Sequence, residues 1–340
     1  MLFANVQLDD NARIRKQVTV GANTMIGGAA RMARPACRTN TAKVGTTLEP
    51  RYSAVPGATV NPTFDRMPSM NRLLLRGLLR RRSMGPVPEV AVSCSNLTTD
   101  PQRLAAYRSV CGLAESDVLP LLWPQVLAGP LHAAVLTHAS MPFGVLGIVH
   151  MAQSTTQLCP IGVDEPVDIQ VRSTPAVPAK RGAIFGIRTD ISVGGEPVWH
   201  SEMGILAPKL DMPGEPPERV KTVLPETWDS QEAWAVPESM GRTYRKVSGD
   251  MNPIHLHALL AKPFGFRRAI AHGMWTLARA IHDIPNDQGK LTVDAQFRKP
   301  VFLPSKPVQK MSRDGQRQTV ALMSADGERT HLIAEASWVP

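Results

Sequence analysis

Three polar residues on one bent segment, Asp250, Asn252 and His255, have the types and spacing for proton chemistry. Ser248-Gly249-Asp250 reads as a turn, and Pro253 pushes Asn252 toward extended backbone, so the segment is stiff. A stiff loop can aim a carboxylate and an imidazole at one point, as a pair of proton-handling groups must be aimed. Asn252 between them is a neutral hydrogen-bonding group suited to orientation. Further on, Ala271-His272-Gly273-Met274 opens an apolar stretch that includes Trp275, Leu277, Ala278 and Ile281. A glycine at a helix N-terminus leaves its backbone N–H unobstructed, and the helix dipole favours developing negative charge there. The segment therefore offers an acid, a base and an oxyanion donor.

Each of these residues also has a plainer reading. An isolated Asp-x-Asn-Pro is commonly a surface turn, and an isolated histidine is commonly structural. His255 and His257 could form a metal pair, but no third ligand stands at helical or hairpin spacing, so no metal is expected. The histidines at 132, 138, 150, 200, 272, 282 and 331 read as structural, with His272 set apart because it adjoins Gly273. The four cysteines, at 37, 94, 111 and 159, lack CxxC spacing and read as core residues. Their spacing excludes a zinc ribbon and a disulfide-dense secreted scaffold, and a reducing, cytoplasmic compartment is expected.

The elements that must hold this segment are legible in outline. Asp100-Pro101 is a helix start and Gly112 closes the same helix. Residues 130–138 read as a short buried helix, and 145–158, 167–173, 183–193 and 197–206 as strands. Six prolines between 208 and 237, in a polar background, mark a linker. A strand at 291–303 echoes 151–163 in placement, Pro300-Val301 matching Pro160-Ile161. Gly195-Glu196 followed by Glu202 is echoed by Gly327-Glu328 followed by Glu335. This faint repeat predicts two copies of one fold, each a helix wrapped by a curved antiparallel sheet. The division expected is 1–70 as a poorly ordered basic leader, 71–210 as a first repeat, 211–236 as linker and 237–340 as the repeat bearing the site.

The length of 340 residues fits two domains, and 43% hydrophobic residues suffice for a core. The net charge of +9 suggests a nucleic-acid binder until it is located. Residues 11–82 hold 14 Lys and Arg against Glu49 and Asp65, whereas 83–340 hold 24 basic and 25 acidic residues. The body is near neutral, so no nucleic-acid partner is expected of it. Within the basic quarter, 71–82 places Arg72, Arg76 and Arg80 as a stripe on an amphipathic helix that packs on the body, a membrane or acidic-carrier surface being the alternative. No apolar run reaches the roughly 20 residues needed to span a bilayer. The Arg-rich, acid-poor N-terminus resembles an organellar transit peptide, which is the alternative to a cytoplasmic protein.

The run Tyr244…Ser248-Gly249-Asp250-x-Asn252-Pro253-Ile254-His255, with Gly265-Phe266…Ile270-Ala271-His272-Gly273-Met274 after it, resembles the signature of MaoC-type R-specific enoyl-thioester hydratases and dehydratases. Phe297-Arg298-Lys299-Pro300-Val301-Phe302-Leu303-Pro304 is similar to the family's strand after the central helix. Leu104-Ala105-Ala106-Tyr107-Arg108…Cys111-Gly112, Leu131-His132 and Pro142-Phe143…Leu146-Gly147-Ile148-Val149-His150 are similar to the non-catalytic repeat of double hot-dog members. The resemblance covers about 72–340 and implies an α+β, double hot-dog fold. It implies one site per chain, because the first half has no Asp-x-Asn-Pro-x-His. Small and apolar residues at 131–148 agree with a tunnel for a longer acyl chain.

The chemistry that the resemblance implies is reversible syn addition of water to a trans-2-enoyl thioester, giving the R-3-hydroxyacyl thioester, in fatty-acid-type metabolism. Asp250 and His255 would share one water, and either can be the acid or the base. Asn252 would position the water or His255, and the Gly273 amide would hold the enolate-like oxygen. Ser248, Arg267, Arg268, Arg298 and Lys299 are the candidate substrate-binding residues, the basic ones meeting phosphates of CoA or of a carrier-protein arm. No metal or redox cofactor is needed, since the thioester itself acidifies the α-position. A homodimer is compatible with the family. A hot-dog thioesterase and a non-catalytic acyl-binding partner are the rival readings.

Overall fold

The computed structural model describes residues 62–79, 85–217, 222, 224–287 and 289–339. The expected leader and Arg80 to Arg82 lie outside the described residues. All but Thr222 of the described residues belong to one compact unit, Pro50–Pro217 with Leu224–Pro340.

The chain enters by a two-residue strand β1 (Thr63–Phe64) and helix α1 (Met70–Leu79). Arg72 and Arg76 are exposed on this helix, as the stripe predicts. Its Gly77 is pressed so closely on Thr137 that a Cβ would lie 2.6 Å from the Thr137 methyl, so α1 packs on the body.

The first repeat then runs β2 (Ala91–Leu97), α2 (Pro101–Cys111), α3 (Trp123–Leu127), α4 (Gly129–Leu136), β3 (Val149–Gln157), β4 (Val167–Ser173), a short β5 (Val177–Pro178), β6 (Ala183–Val193) and β7 (Glu196–Ala207). The second runs β8 (Ser230–Ala233), α5 (Met240–Ser248), a 3₁₀ turn (Pro253–His255), α6 (Ala258–Ala261), α7 (Gly273–Ala280), β9 (Lys290–Phe297), β10 (Val308–Asp314), β11 (Arg317–Met323) and β12 (Thr330–Val339). The strand order is β1-β2-β4-β6-β7-β3-β9-β12-β11-β10-β8. Leaving β1 and β5 aside, each repeat lays its five strands in the same order, with its first strand at the outer edge and the strand after its central helix at the centre. The two halves are copies, which the residue-level echoes only hinted.

The copies meet where β3 pairs antiparallel with β9, from Ala152 opposite Gln296 to Gln157 opposite Leu291. This seam makes one sheet of two, and the Thr156 and Thr292 hydroxyls meet across it at 3.2 Å. The helices α4 and α7 are the central helices of the two repeats, as the double hot-dog resemblance implies. Leu131 to Val135 of α4 are all buried, which explains a helix with apolar residues on every side. Strands alternate as half-buried strands must: Val167, Ile169 and Val171 of β4 face the core while Gln170 is exposed. The largest buried side chains include Trp123, Trp199, Trp234, Trp275, Tyr107 and Tyr244. Cys94 and Cys111 are free and buried, consistent with packing residues.

Three boundaries differ from those expected. Pairing begins at Val149 rather than 145, because the 141–148 stretch turns, with Gly147 at φ 87°. Strand β9 stops at Phe297, ahead of Pro300, which cannot donate to a ladder, and only an isolated bridge from Ile270 to Phe302 continues it. The stretch 211–236 contains β8, an exposed edge strand paired with β10, which its four polar or small residues do not announce.

Helix α2 anchors the site from the first repeat. The Asp100 side chain accepts from the amides of Gln102 (2.9 Å) and Arg103 (3.4 Å), Pro101 occupies N1, and Gly112 closes the helix at φ 69°. The Arg103 Nε–H then donates to the Val247 carbonyl at 2.7 Å, one turn before the loop that carries Asp250, Asn252 and His255. Replacing Asp100 by Ala should therefore lower unfolding stability by about 1 kcal/mol. Urea denaturation at neutral pH checks this, and an unchanged midpoint would show that the cap is dispensable.

Candidate active site

Helix α5 ends at Gly249, whose φ of 76° lets the chain reverse and whose amide caps back to the Arg245 carbonyl at 2.8 Å. A relay of side-chain to backbone hydrogen bonds fixes the loop after it. The Asp250 amide donates to Ser248 Oγ (3.2 Å), the Asn252 amide to Asp250 Oδ1 (2.9 Å), and the Ile254 amide to Asn252 Oδ1 (3.4 Å). Each acceptor serves the residue two ahead, the habit of short polar side chains in turns. Asn252 thereby caps the 3₁₀ turn that presents His255. The loop lies directly on α5: a Cβ at Gly241 would sit 1.8 Å from the His255 carbonyl oxygen.

The His255 ring is buried, and its Nδ1 meets the Ile270 carbonyl at 2.9 Å. A carbonyl only accepts, so Nδ1 carries the proton and neutral His255 presents a lone pair at Nε2. The same stretch is tied in by its backbone, Ile270 to Ile254, Ala271 to Val301 and Leu303 to Ala269. It delivers His272 as the N-cap residue of α7 and Gly273 as its first residue. The Gly273 amide is one of the first-turn donors without an intrahelical acceptor. A Cβ on Gly273 would lie 3.1 Å from the Phe297 ring, so a side chain fits there only if that ring gives way. The first repeat adds His150 of β3, whose ring tilts against Phe297 at 4.8 Å between centroids.

His272 was expected to be structural, yet it is in the centre of the constellation. It is 3% exposed, its ring stacks on His255 (centroids 3.8 Å apart, planes 25° apart), and its Nε2 is 3.7 Å from Asp250 Oδ2. The only sequence signal for it was its place beside Gly273. Asp250, His255 and His272 offer ligand atoms within 4.8 Å of one another, the count a metal site needs. Stacking argues against one: lone pairs lie in the ring planes, and two nearly parallel planes do not converge on an ion about 2.0–2.1 Å from each nitrogen.

Burial sets the protonation states. It pushes His255 below the ordinary histidine range, against the opposing pull of Asp250 and the Ile270 carbonyl. It pushes His272 down to about 3, helped by His255, and His150 to about 4. For Asp250 burial acts upward, but His272, His255, the Asn252 amide and His150 more than offset it, and the carboxyl ends below its usual value. Near neutral pH the site therefore holds a carboxylate and uncharged imidazoles.

The remaining candidates are dispersed. Ser248 is buried and holds the Asp250 amide. Arg267 and Arg268 lie over the Phe302 ring, 5.1 and 5.5 Å from its centroid, and Arg268 Nη1 donates to the Pro304 carbonyl at 3.2 Å. Arg298 donates to Gln296 at 3.0 Å, and exposed Lys299 meets His331 only through its carbonyl. His257 caps α6 by accepting from the Leu259 amide at 3.2 Å and takes no part in the site. Within residues 131–148, Leu131, Ala134, Val135, Met141 and Phe143 are packed in the core, and Leu146, Gly147 and Ile148 line a small cavity beside Ala207.

The chain is similar to known proteins in sequence and in fold. Residues 212–335 match the MaoC like domain family. The chain is 33% identical over 223 residues to 3-hydroxyacyl-thioester dehydratase X of Mycobacterium tuberculosis, spanning 64% of this chain and 79% of that protein. A crystal structure of HtdX from the same organism superposes with a TM-score of 0.65 at 28% identity, over 73% of this chain and 100% of that one. A MaoC-like dehydratase from Phytophthora capsici shares the fold, with a TM-score of 0.60 at 17% identity over 74% and 95% of the two chains.

The buried histidines predict how stability depends on pH. His132, which meets Thr189 Oγ1 at 2.8 Å, is held down to about 3 by burial and by His150, joining His150 and His272. Above the ordinary value of about 6.5 both folded and unfolded chains leave these rings neutral. Below it the unfolded chain binds protons that the folded chain refuses, so stability is lost as pH falls toward the folded values. Thermal midpoints should fall steeply between about pH 6 and pH 4, and His132→Gln should flatten that slope. Melting curves across this range check it; a midpoint independent of pH would contradict the burial argument.

Proposed function

The chain belongs to the MaoC-like dehydratase family, and we propose on that footing that it interconverts trans-2-enoyl and R-3-hydroxyacyl thioesters in fatty-acid-type metabolism, using Asp250, His255 and the Gly273 amide. The observation that carries the assignment of roles is the hydrogen bond from His255 Nδ1 to the Ile270 carbonyl, which leaves Nε2 as the basic atom.

In hydration, one water sits between His255 Nε2 and the Asp250 carboxylate. Its proton passes to Nε2 as its oxygen bonds to C3. The C2–C3 π electrons move toward the thioester carbonyl, whose oxygen becomes enolate-like. The Gly273 N–H, backed by the dipole of α7, stabilises that oxygen, a contribution typically worth about 10²–10³ in rate. The imidazolium then returns the proton to C2, and the C2–C3 single bond is complete. Since both groups start unprotonated, the proton that reaches C2 is the one taken from water, and both steps occur on one face. Asp250 orients the water and stabilises the transient imidazolium. Dehydration is the reverse, with Nε2 removing the C2 proton and returning it to the departing hydroxyl. Asn252 acts through the loop it caps, and Ser248 holds the Asp250 amide.

The substrate is an acyl thioester carried on CoA or on an acyl carrier protein. Arg267 and Arg268, held together beside Phe302, are the basic side chains best placed to meet phosphates of either carrier, since Phe302 bridges to Ile270 and hence to the His255 hydrogen bond. No cofactor enters the scheme, because the thioester supplies the electron sink.

Asp250→Asn and His255→Ala should each lower the rate on enoyl thioesters by about 10²–10⁴ with the fold intact. The acidic limb of kcat/KM should fall below pH 6.5, because burial lowers the His255 pKa. The loss of enoyl absorbance, followed with enoyl-CoA and enoyl-carrier-protein substrates of several lengths, reads both. Full activity in either variant would overturn the roles, and a wild-type protein that releases free thiol instead would favour a thioesterase.

A further inference from the structure

Among the described residues, His272 is a buried titratable side chain for which the mechanism above has no task, yet it stands against both His255 and Asp250. Its ring stacks on His255 at 3.8 Å, its Nε2 faces Asp250 Oδ2 at 3.7 Å, and Tyr244 of α5 closes the third side at 5.0 Å between ring centroids. Neither ring nitrogen makes a well-formed hydrogen bond although the residue is 3% exposed, and the Asp250 backbone stands beside the ring. A buried N–H without an acceptor is costly, and the Asp250 carboxylate offers an anionic acceptor 3.7 Å from Nε2. The backbone adds a second constraint, since His272 immediately precedes Gly273 and caps α7.

We propose that His272 is a positioning residue that donates Nε2–H to the Asp250 carboxylate when the site closes on substrate, fixing Asp250 relative to the Gly273 amide. It thereby sets the distance between the group that holds the water and the donor that holds the thioester oxygen. Burial keeps His272 from acquiring a proton of its own, so it does not compete with His255 for the proton taken from water. The stacked ring also bars His255 from swinging away from the Ile270 carbonyl. This inference rests on the enoyl-thioester reading, and its failure can be told apart from a failure of that reading.

The test separates the hydrogen-bond donor from the ring. His272→Gln keeps an N–H near the position of Nε2 and loses the ring; His272→Phe keeps a stacked ring and loses the donor. Wild type and Asp250→Asn are measured beside them on an enoyl-CoA, with melting curves for all four. If wild type is inactive, or Asp250→Asn is fully active, the functional reading fails. If those controls behave as expected, His272→Phe should lose about 10- to 100-fold in kcat with KM little changed, the size of penalty expected from misplacing a reacting group by about 1 Å. His272→Gln should recover most of that loss. An active Phe variant with an impaired Gln variant would show that the ring only packs. Equal losses in both, or wild-type rates in both, would likewise overturn the proposal. Should the Phe variant not fold, the Gln variant decides: near wild-type kcat supports the donor role and a 10-fold or larger loss overturns it.

Discussion

The hydrogen bond between His255 Nδ1 and the Ile270 carbonyl is the constraint on which the site depends. By the usual measure such a bond contributes only about 1 kcal/mol net. Its importance is geometric. It selects one tautomer, turns Nε2 toward the open side, and fastens the loop after α5 to the segment that leads into α7. It works beside the bond from the Ile270 amide to the Ile254 carbonyl, which ties the same two segments. The close seating of Gly241 on the His255 carbonyl fastens the same loop to α5 on its other side, because no residue with a side chain fits there.

Burial supplies the chemistry that this geometry needs. An exposed imidazole near neutral pH would be partly charged, and a charged His255 could not accept a proton from water. Packing His255, His272 and His150 away from solvent keeps all three neutral, while Asp250, which retains about half of its exposure, stays ionised beside them. The cost is a chain whose folded state refuses protons at mildly acid pH. Reactivity and acid sensitivity thus come from one cause.

The two repeats share a topology and divide the labour. Antiparallel pairing of β3 with β9 places the strand after each central helix at the centre of a single sheet, which brings His150 of the first repeat against Phe297 of the second. The first repeat has kept its central helix as core rather than as a site: in α4 the position of interest is His132, bonded to Thr189, and its neighbours are packed. It also braces the catalytic loop through Arg103 of α2 and the Val247 carbonyl. The first repeat thus stands as a wall and a brace beside the loop of Asp250 and His255.

Much of this was legible in the order of residues. Asp100-Pro101 and Gly112 mark the ends of α2 because capping and helix termination are local events. The strands at 167–173 and 183–193 follow from alternation and β-branching, and the turn chemistry of Ser248 to Pro253 predicts a rigid loop. The spacing of Asp250, His255 and Gly273 already singled out a carboxylate, an imidazole and a backbone donor as the candidate groups, since each is set by its own short segment. Contact between segments was the part that the order of residues could not decide. The edge strand β8 forms only because β10 lies beside it. His272 joins the site because α7 and the catalytic loop are folded face to face, and the tautomer of His255 depends on a carbonyl fifteen residues away. The shifts in protonation have the same origin, for they come from the exclusion of water, and only the packed tertiary structure excludes it.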